Sequence, residues 1–211
     1  MTTFIQDSIA DGSLVLWHDY RAGHMIDLSG NGNDGTPTSV IWQGRDGIRF
    51  PTTGSWVQVA DSSELQLTTG TLAVLAAFMD QATINTERLI SKRDGGGNNY
   101  DWYLEATDIN LYDGATISDV NVTVPGHRLF AVSFDTTNQP DGYRNGIFHA
   151  QYDNIMSTLA VNDAPLFIGN RYTGTYQFQS AMQAVLIFND KLTATEHAQL
   201  YSELHENGGP S

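Results

Sequence analysis

Cysteine is absent from the 211-residue chain, which removes disulfide staples, thiolate-bound zinc and a cysteine nucleophile at one stroke. Basic residues are scarce: 10 Lys and Arg face 24 Asp and Glu, for a formal net charge of −14. A field of that sign repels nucleic-acid phosphates and anionic headgroups, so neither nucleic acid nor a membrane is expected as a partner. It favours solubility, and beyond that it suits a cation or a basic partner. Long apolar runs are missing as well. The longest, Leu72-Ala73-Val74-Leu75-Ala76-Ala77-Phe78-Met79, falls far short of a bilayer span. Met1-Thr2-Thr3-Phe4-Ile5-Gln6-Asp7 has no basic or apolar region of a secretory signal. With the missing cysteine, this leads us to expect cytoplasmic synthesis and a microbial or viral source.

What is present is turn chemistry. Asp-Gly pairs stand at Asp11-Gly12, Asp34-Gly35, Asp46-Gly47, Asp94-Gly95, Asp113-Gly114 and Asp141-Gly142, with Asn145-Gly146 beside the last. Such pairs tolerate the positive φ of tight turns. Between them lie short β-prone runs: Leu14–Trp17, Trp56–Val59, Thr71–Phe78, Trp102–Glu105, Leu129–Phe134, Leu166–Ile168 and Ala184–Phe188. Many short strands with frequent turns predict a sandwich or barrel. In Arg128–Phe134, Phe130, Val132 and Phe134 share one face and Leu129, Ala131 and Ser133 the other. One helix is expected, at the C-terminus. Thr193-Ala194-Thr195-Glu196 reads as a capping box, and Ala194, Ala198, Tyr201 and Leu204 as its apolar stripe. The length suits one large domain. We divide the chain into an N-terminal segment (1–11), a β-sandwich (12–204) and a polar tail (205–211).

Several segments together resemble the laminin G-like domain of the concanavalin A-like lectin/glucanase superfamily. Asp27-Leu28-Ser29-Gly30-Asn31-Gly32-Asn33-Asp34-Gly35 is similar to its early D-x-S-G-N-x-N-D-G loop. Gly47–Phe50 with Trp56–Val59, His127–Asp135, Tyr143-Arg144-Asn145-Gly146, Leu166–Asn170 and Phe178–Phe188 resemble its later strands and hairpins in the same order. The resemblance runs from about Leu14 to Leu204. It implies an all-β, two-sheet antiparallel jelly-roll sandwich with one short C-terminal helix. Its members include carbohydrate-binding modules, adhesion modules, virion proteins and a minority of glycosidases, so fold alone does not settle function.

The residues do not favour catalysis. Glucanases on this fold set three carboxylates along one strand as E-x-D-x-x-E, and no glutamate here begins that pattern. The nearest approach, Glu105 to Asp108, spans an odd number of residues and would face opposite ways on one regular strand. The histidines His18, His24, His127, His149, His197 and His205 form no ligand-spaced cluster. Gly95-Gly96-Gly97 lacks the following Lys of a phosphate loop and reads as a hairpin tip.

For a metal, the candidates are Asp27, Asn31 and Asp34, whose carboxylates and amide suit calcium. The resemblance implies a structural calcium there, aided by a carboxylate in the family's C-terminal I-D-E-V strand, where Met182-Gln183-Ala184-Val185 supplies none. The alternative is a turn held by Asx hydrogen bonds. For a ligand, the aromatic and polar loops nominate Tyr100, Trp102, Arg171, Tyr172 and Tyr176, with Trp56 beside them. Trp102 shares a face with Leu104, which leaves a core position open for it. Three functions follow. The first is a virion-associated decoration, spike or fibre protein that docks on virion proteins and touches host glycans. The second is a microbial lectin-like module at the cell surface or outside the cell. The third is a glycoside hydrolase. A homo-oligomer is compatible with all three.

Overall fold

A computed structural model describes residues 3–78, 86–93, 100–105, 108–121, 126–157, 159, 161–171, 173–174 and 176–206. Its strands are β1 (Leu14–Asp19), β2 (Gly35–Thr38), β3 (Ile41–Trp42), β4 (Ile48–Arg49), β5 (Trp56–Val59), β6 (Gly70–Phe78), β7 (Glu87–Ser91) and β8 (Asp101–Glu105). They continue as β9 (Asp108–Tyr112), β10 (Ile117–Asn121), β11 (Gly126–Phe134), β12 (Asp141–Arg144), β13 (Ile147–Gln151), β14 (Leu166–Ile168) and β15 (Ala181–Phe188). Two helices frame them, α1 (Phe4–Ala10) and α2 (Ala194–Glu206).

The strands form two antiparallel sheets. An eight-stranded sheet runs β13-β12-β11-β6-β15-β4-β3 with β1 also on β15, and a seven-stranded sheet runs β10-β9-β8-β7-β14-β5-β2. Strand β15 is the spine of the first. One edge pairs with β6, and the other is shared by β1 over Ala184–Phe188 and β4 over Ala181–Met182. Of the sandwich or barrel that the turn spacing predicts, this is the two-sheet sandwich that the resemblance implies, with its C-terminal helix in place.

Alternation on β11 places side chains in two different cores. Phe130, Val132 and Phe134 enter the main core between the sheets. Leu129 and Ala131 face outward into a second layer with Leu75, Leu186 and Phe188, closed by Ile5 of α1 and by Leu200 and Leu204 of α2. Burying each such side chain removes apolar area from water, worth about 1.5–3 kcal/mol apiece.

The capping box forms as read. Thr193 Oγ1 accepts from the Glu196 backbone N–H at 3.3 Å, and Glu196 Oε2 accepts from the Thr193 N–H at 2.7 Å. Thr193→Ala should therefore cost about 1 kcal/mol, read as a lower denaturant midpoint at unchanged m-value. The expected stripe is rotated. Ala194 and Ala198 are exposed, while His197, Leu200 and Leu204 are buried. The reason is that His197 lies flat on Tyr143, ring centroids 3.6 Å apart, and counts as part of the apolar contact.

The N-terminal segment is not a free arm. Thr3 caps α1, whose Ile5 is buried, and Glu203 of α2 accepts the backbone N–H groups of Phe4 and Ile5 at 2.5 and 3.0 Å. A carboxylate at a helix N-terminus also complements the helix dipole. At the other end, α2 continues to Glu206, past the sandwich boundary set at residue 204. Among the described residues, no helix is long and apolar enough to cross a membrane.

Candidate functional site

The helices cover the outer face of the eight-stranded sheet, whereas the outer face of the seven-stranded sheet carries a cluster of polar and aromatic side chains. Its origin is a bulge in β7. Arg88 pairs with Tyr103 and Ser91 with Asp101, so one residue between them is extra. Leu89 and Ile90 both enter the main core as a result. Arg88 and Ser91 then share the outer face with Asp101 and Tyr103, and β9 extends the two rows with Tyr112 and Asn110.

The centre of this face is charged and dry. Arg88, Ser91, Asp101 and Asn110 are all buried. Arg88 Nε donates to Asp101 Oδ2 at 2.9 Å, and Arg93 Nη1 lies 3.8 Å from the same oxygen. The Arg88 guanidinium sits 3.8 Å above the Tyr103 ring and 4.9 Å from that of Tyr176, while Arg93 lies 4.8 Å over Tyr112. Burial pushes the Asp101 carboxyl up, against the opposing pull of Arg88, Ser91, Arg93 and Arg171. Burial likewise pushes Tyr103 up to about 12. Among the described residues, three polar atoms here have no hydrogen-bond partner: Arg88 Nη1, Arg93 Nε and Asn110 Nδ2. Leaving such groups dry and unpaired costs about 1–3 kcal/mol each, more for charged ones.

A loop from Gly169 to Ser180 folds over the cluster. Its backbone is tied to β7 by Gly169 N–H to Leu89 O at 3.0 Å and Arg88 N–H to Tyr176 O at 2.9 Å. The wholly buried Asn170 is its pin. Its amide donates to Thr53 O and Ser55 O, and its carbonyl accepts the N–H groups of Arg171 and Tyr176. The loop lays Arg171 over the Tyr176 ring at 4.0 Å. Glu87, at the start of β7, accepts the Gln179 N–H at 3.1 Å.

Glu87 gives the chain a pH signature. Burial drives its carboxyl up to about 7, so between about pH 4.5 and 7 the folded state holds a proton that the unfolded state has released. Stability is full below the unfolded value and falls as pH rises through 7. Glu87→Gln should match the wild type near pH 4 and exceed it by roughly 2–3 kcal/mol at pH 8. Urea melts of both proteins across that range check this, and parallel curves at all pH values would refute it.

The sequence candidates separate cleanly. Arg171, Tyr176 and Trp56 lie on this face. Trp56 packs edge-on against Phe167, ring centroids 5.9 Å apart, and Phe167 is the cross-strand neighbour of Ser91. Tyr172 lies outside the described residues, as do Gly95-Gly96-Gly97. The structure corrects Tyr100 and Trp102, both 0% exposed in the main core. Tyr100 donates its hydroxyl to Leu65 O and Trp102 its indole N–H to the Tyr152 hydroxyl, so neither can touch a ligand. Arg88, Ser91, Arg93, Asp101, Tyr103, Asn110 and Tyr112 were not among the sequence candidates.

The Asp27 loop is a closed hydrogen-bonded turn. Asp27 accepts from Trp17 N–H, Ser29 N–H, Ser29 hydroxyl and Asn33 N–H, at 2.8–3.0 Å. Asn31 turns its amide N–H to Leu14 O, and Asp34 accepts the Asp27 N–H. Both carboxylate oxygens of Asp27 and Oδ1 of Asp34 therefore serve the turn's own hydrogen bonds. Among the described residues no set of three His, Asp or Glu could hold a metal.

Two further groupings bear on catalysis. Ser133 Oγ and His197 Nε2 are 2.8 Å apart, with Thr71 bonded to Ser133. Burial pushes His197 down to about 3, and its Nδ1 has no partner to orient it. This is a lock between sheet and helix, too weakly basic to activate a nucleophile near neutral pH. The reading of Glu105 and Asp108 as facing opposite ways is corrected. They belong to consecutive strands, β8 and β9, and pair directly in register, so both point to the outer face.

No protein-family model matches the chain, and no curated protein matches it either. Solved structures do. The binding domain of Paraclostridial Mosquitocidal Protein 1 aligns at TM-score 0.69 and 17% identity, over 93% of this chain and 53% of that one. The binding domain of botulinum neurotoxin DC in complex with SialylT gives 0.66 and 11%, over 93% and 52%. Trypanosoma rangeli sialidase in complex with sialic acid gives 0.70 and 16%, over 93% and 33%. The chain spans about half of each toxin domain and a third of the sialidase. At these identities the likeness establishes a shared two-sheet β-sandwich.

Proposed function

We propose that this chain is a non-catalytic binding module of the laminin G-like kind that takes a glycan on the outer face of its seven-stranded sheet. The observation that carries the reading is the set of buried, unpartnered polar atoms on Arg88, Arg93 and Asn110, walled by Tyr103, Tyr112 and Tyr176. A sugar supplies both hydroxyl donors and acceptors for such groups and an apolar face for the rings. The neighbours add support: two are toxin binding domains, one of them solved with SialylT, and a third structure holds sialic acid. The motif order from Leu14 to Leu204 supports the laminin G-like assignment.

A glycan array probed with the wild-type chain should give discrete hits, and Tyr112→Ala should lose them without a change in melting temperature. A blank array overturns the reading, and hits untouched by Tyr112→Ala would move the ligand off this face.

We propose a virion as the setting, with a microbial cell surface as the alternative address. The acidic charge and missing cysteine support it, as do Ile147 and Phe148, 72% and 51% exposed on edge strand β13, where a virion protein can dock. Mass spectrometry of purified particles should detect the chain in stoichiometric amount.

A further inference from the structure

We infer that the ligand is an acidic sugar, one carrying a carboxylate, held at the Arg88–Arg93–Arg171 group. This rests on the glycan reading above and narrows it. Three of the chain's 10 basic residues gather on this face, although the molecule as a whole carries −14. One buried carboxylate, Asp101, faces Arg88 and Arg93. Arg171 donates from Nε to the Thr173 hydroxyl at 2.8 Å and stacks on Tyr176. The arginine group is therefore a local positive spot within an acidic protein, while Glu105, Asp108 and Asp119 lie further along the same face. Such a reversal of sign attracts an anion locally and turns anionic polymers away elsewhere.

The geometry favours a carboxylate. Guanidinium groups pair with planar carboxylates through two parallel N–H donors, and Arg88 Nη1 and Arg93 Nε are unpaired on either side of Asp101. A phosphate suits the site less, because its second charge would sit beside the buried Asp101 carboxylate. An acidic sugar brings one carboxylate to the arginines and an apolar ring face to the tyrosines. The rings are layered with the cations as Tyr103, Arg88, Tyr176 and Arg171. Tyr176, half-exposed, is the outer cover of Arg88. The ligand reaches the buried donors by displacing that ring.

Titration calorimetry with matched probes tests this. The pairs are sialyllactose against lactose, and oligogalacturonate against its methyl ester. The acidic member should bind at least tenfold more tightly, and the gap should shrink with added salt. Arg93→Gln and Arg171→Gln, both at half-exposed positions, should each close most of the gap at unchanged melting temperature. Equal affinity within pairs, or a gap that survives both variants, overturns the acidic assignment while leaving a glycan module standing. A sulfated lactose that binds as tightly as sialyllactose overturns the carboxylate class. Absence of binding by every probe and by the array removes both readings.

Discussion

Gly169→Ala is expected to lower the melting temperature by about 5–20 °C. Gly169 has φ +77°, and a Cβ built there would lie 2.2–2.4 Å from three carbons of the Phe50 ring. The left-handed conformation alone costs a non-glycine residue about 1–2 kcal/mol. The collision adds more, because Phe50 is buried and rests edge-on against Phe178, centroids 6.5 Å apart, so the ring has nowhere to retreat. Overpacking a dense core typically costs about 1–3 kcal/mol and sometimes more. The sum, about 2–5 kcal/mol, is a large share of a typical domain's stability and corresponds to that fall at this chain length. Phe50→Leu in the same chain should restore part of it, since the two changes share one space. Calorimetry of the two single variants and the double variant decides the matter. Additive losses would mean that the ring is not the obstacle.

The next residue carries the second large effect. Asn170→Ala strips the loop of four hydrogen bonds and leaves the carbonyls of Thr53 and Ser55 and the N–H groups of Arg171 and Tyr176 without their partner. At about 1 kcal/mol for each bond, and more where the group stays dry, the expected loss is roughly 3–4 kcal/mol. The loss should be local in its structural consequence. Hydrogen exchange should quicken at Arg171, Gly174 and Tyr176 well before the strands of the main core respond. Ligand affinity should fall with it, because Arg171 and Tyr176 then reach the site only at an entropic cost. Uniform acceleration across the sheets would show that Asn170 supports the whole fold rather than the loop.

Much of the architecture was legible because it depends on local rules. The alternation in β11 and the reciprocal cap at Thr193 and Glu196 each follow from residues within one turn or one strand. The buried side of α2 was misjudged because His197, polar by type, is made apolar in effect by stacking on Tyr143, a partner 54 positions away. Tyr100 and Trp102 pointed to a ligand by the company they keep in sequence, Asn98, Asn99 and Asp101, whereas their fate was set by the opposite sheet.

The site itself was hidden by two irregularities. Arg88 and Ser91 are three apart, and period-two counting puts them on opposite faces; the bulge at Leu89 brings them together. Glu105 and Asp108 read as one strand, whereas the register shows two strands facing each other. A bulge has no reliable signature in a single sequence. The only available hint was compositional: Arg88, Lys92 and Arg93 cluster in a chain so poor in basic residues.

The clasp between Glu203 and the first turn of α1 has a consequence for how the molecule is presented. It brings the two ends of the described chain side by side, on the helix-covered back of the eight-stranded sheet. The arginine face lies on the far side of the sandwich. Whatever holds this molecule by its ends would therefore display the arginine face outward, as a stalk displays a flower head. A fusion at either end should leave ligand uptake untouched, whereas a tether placed on the loop from Gly169 to Ser180 would turn the receptive side toward its own anchor.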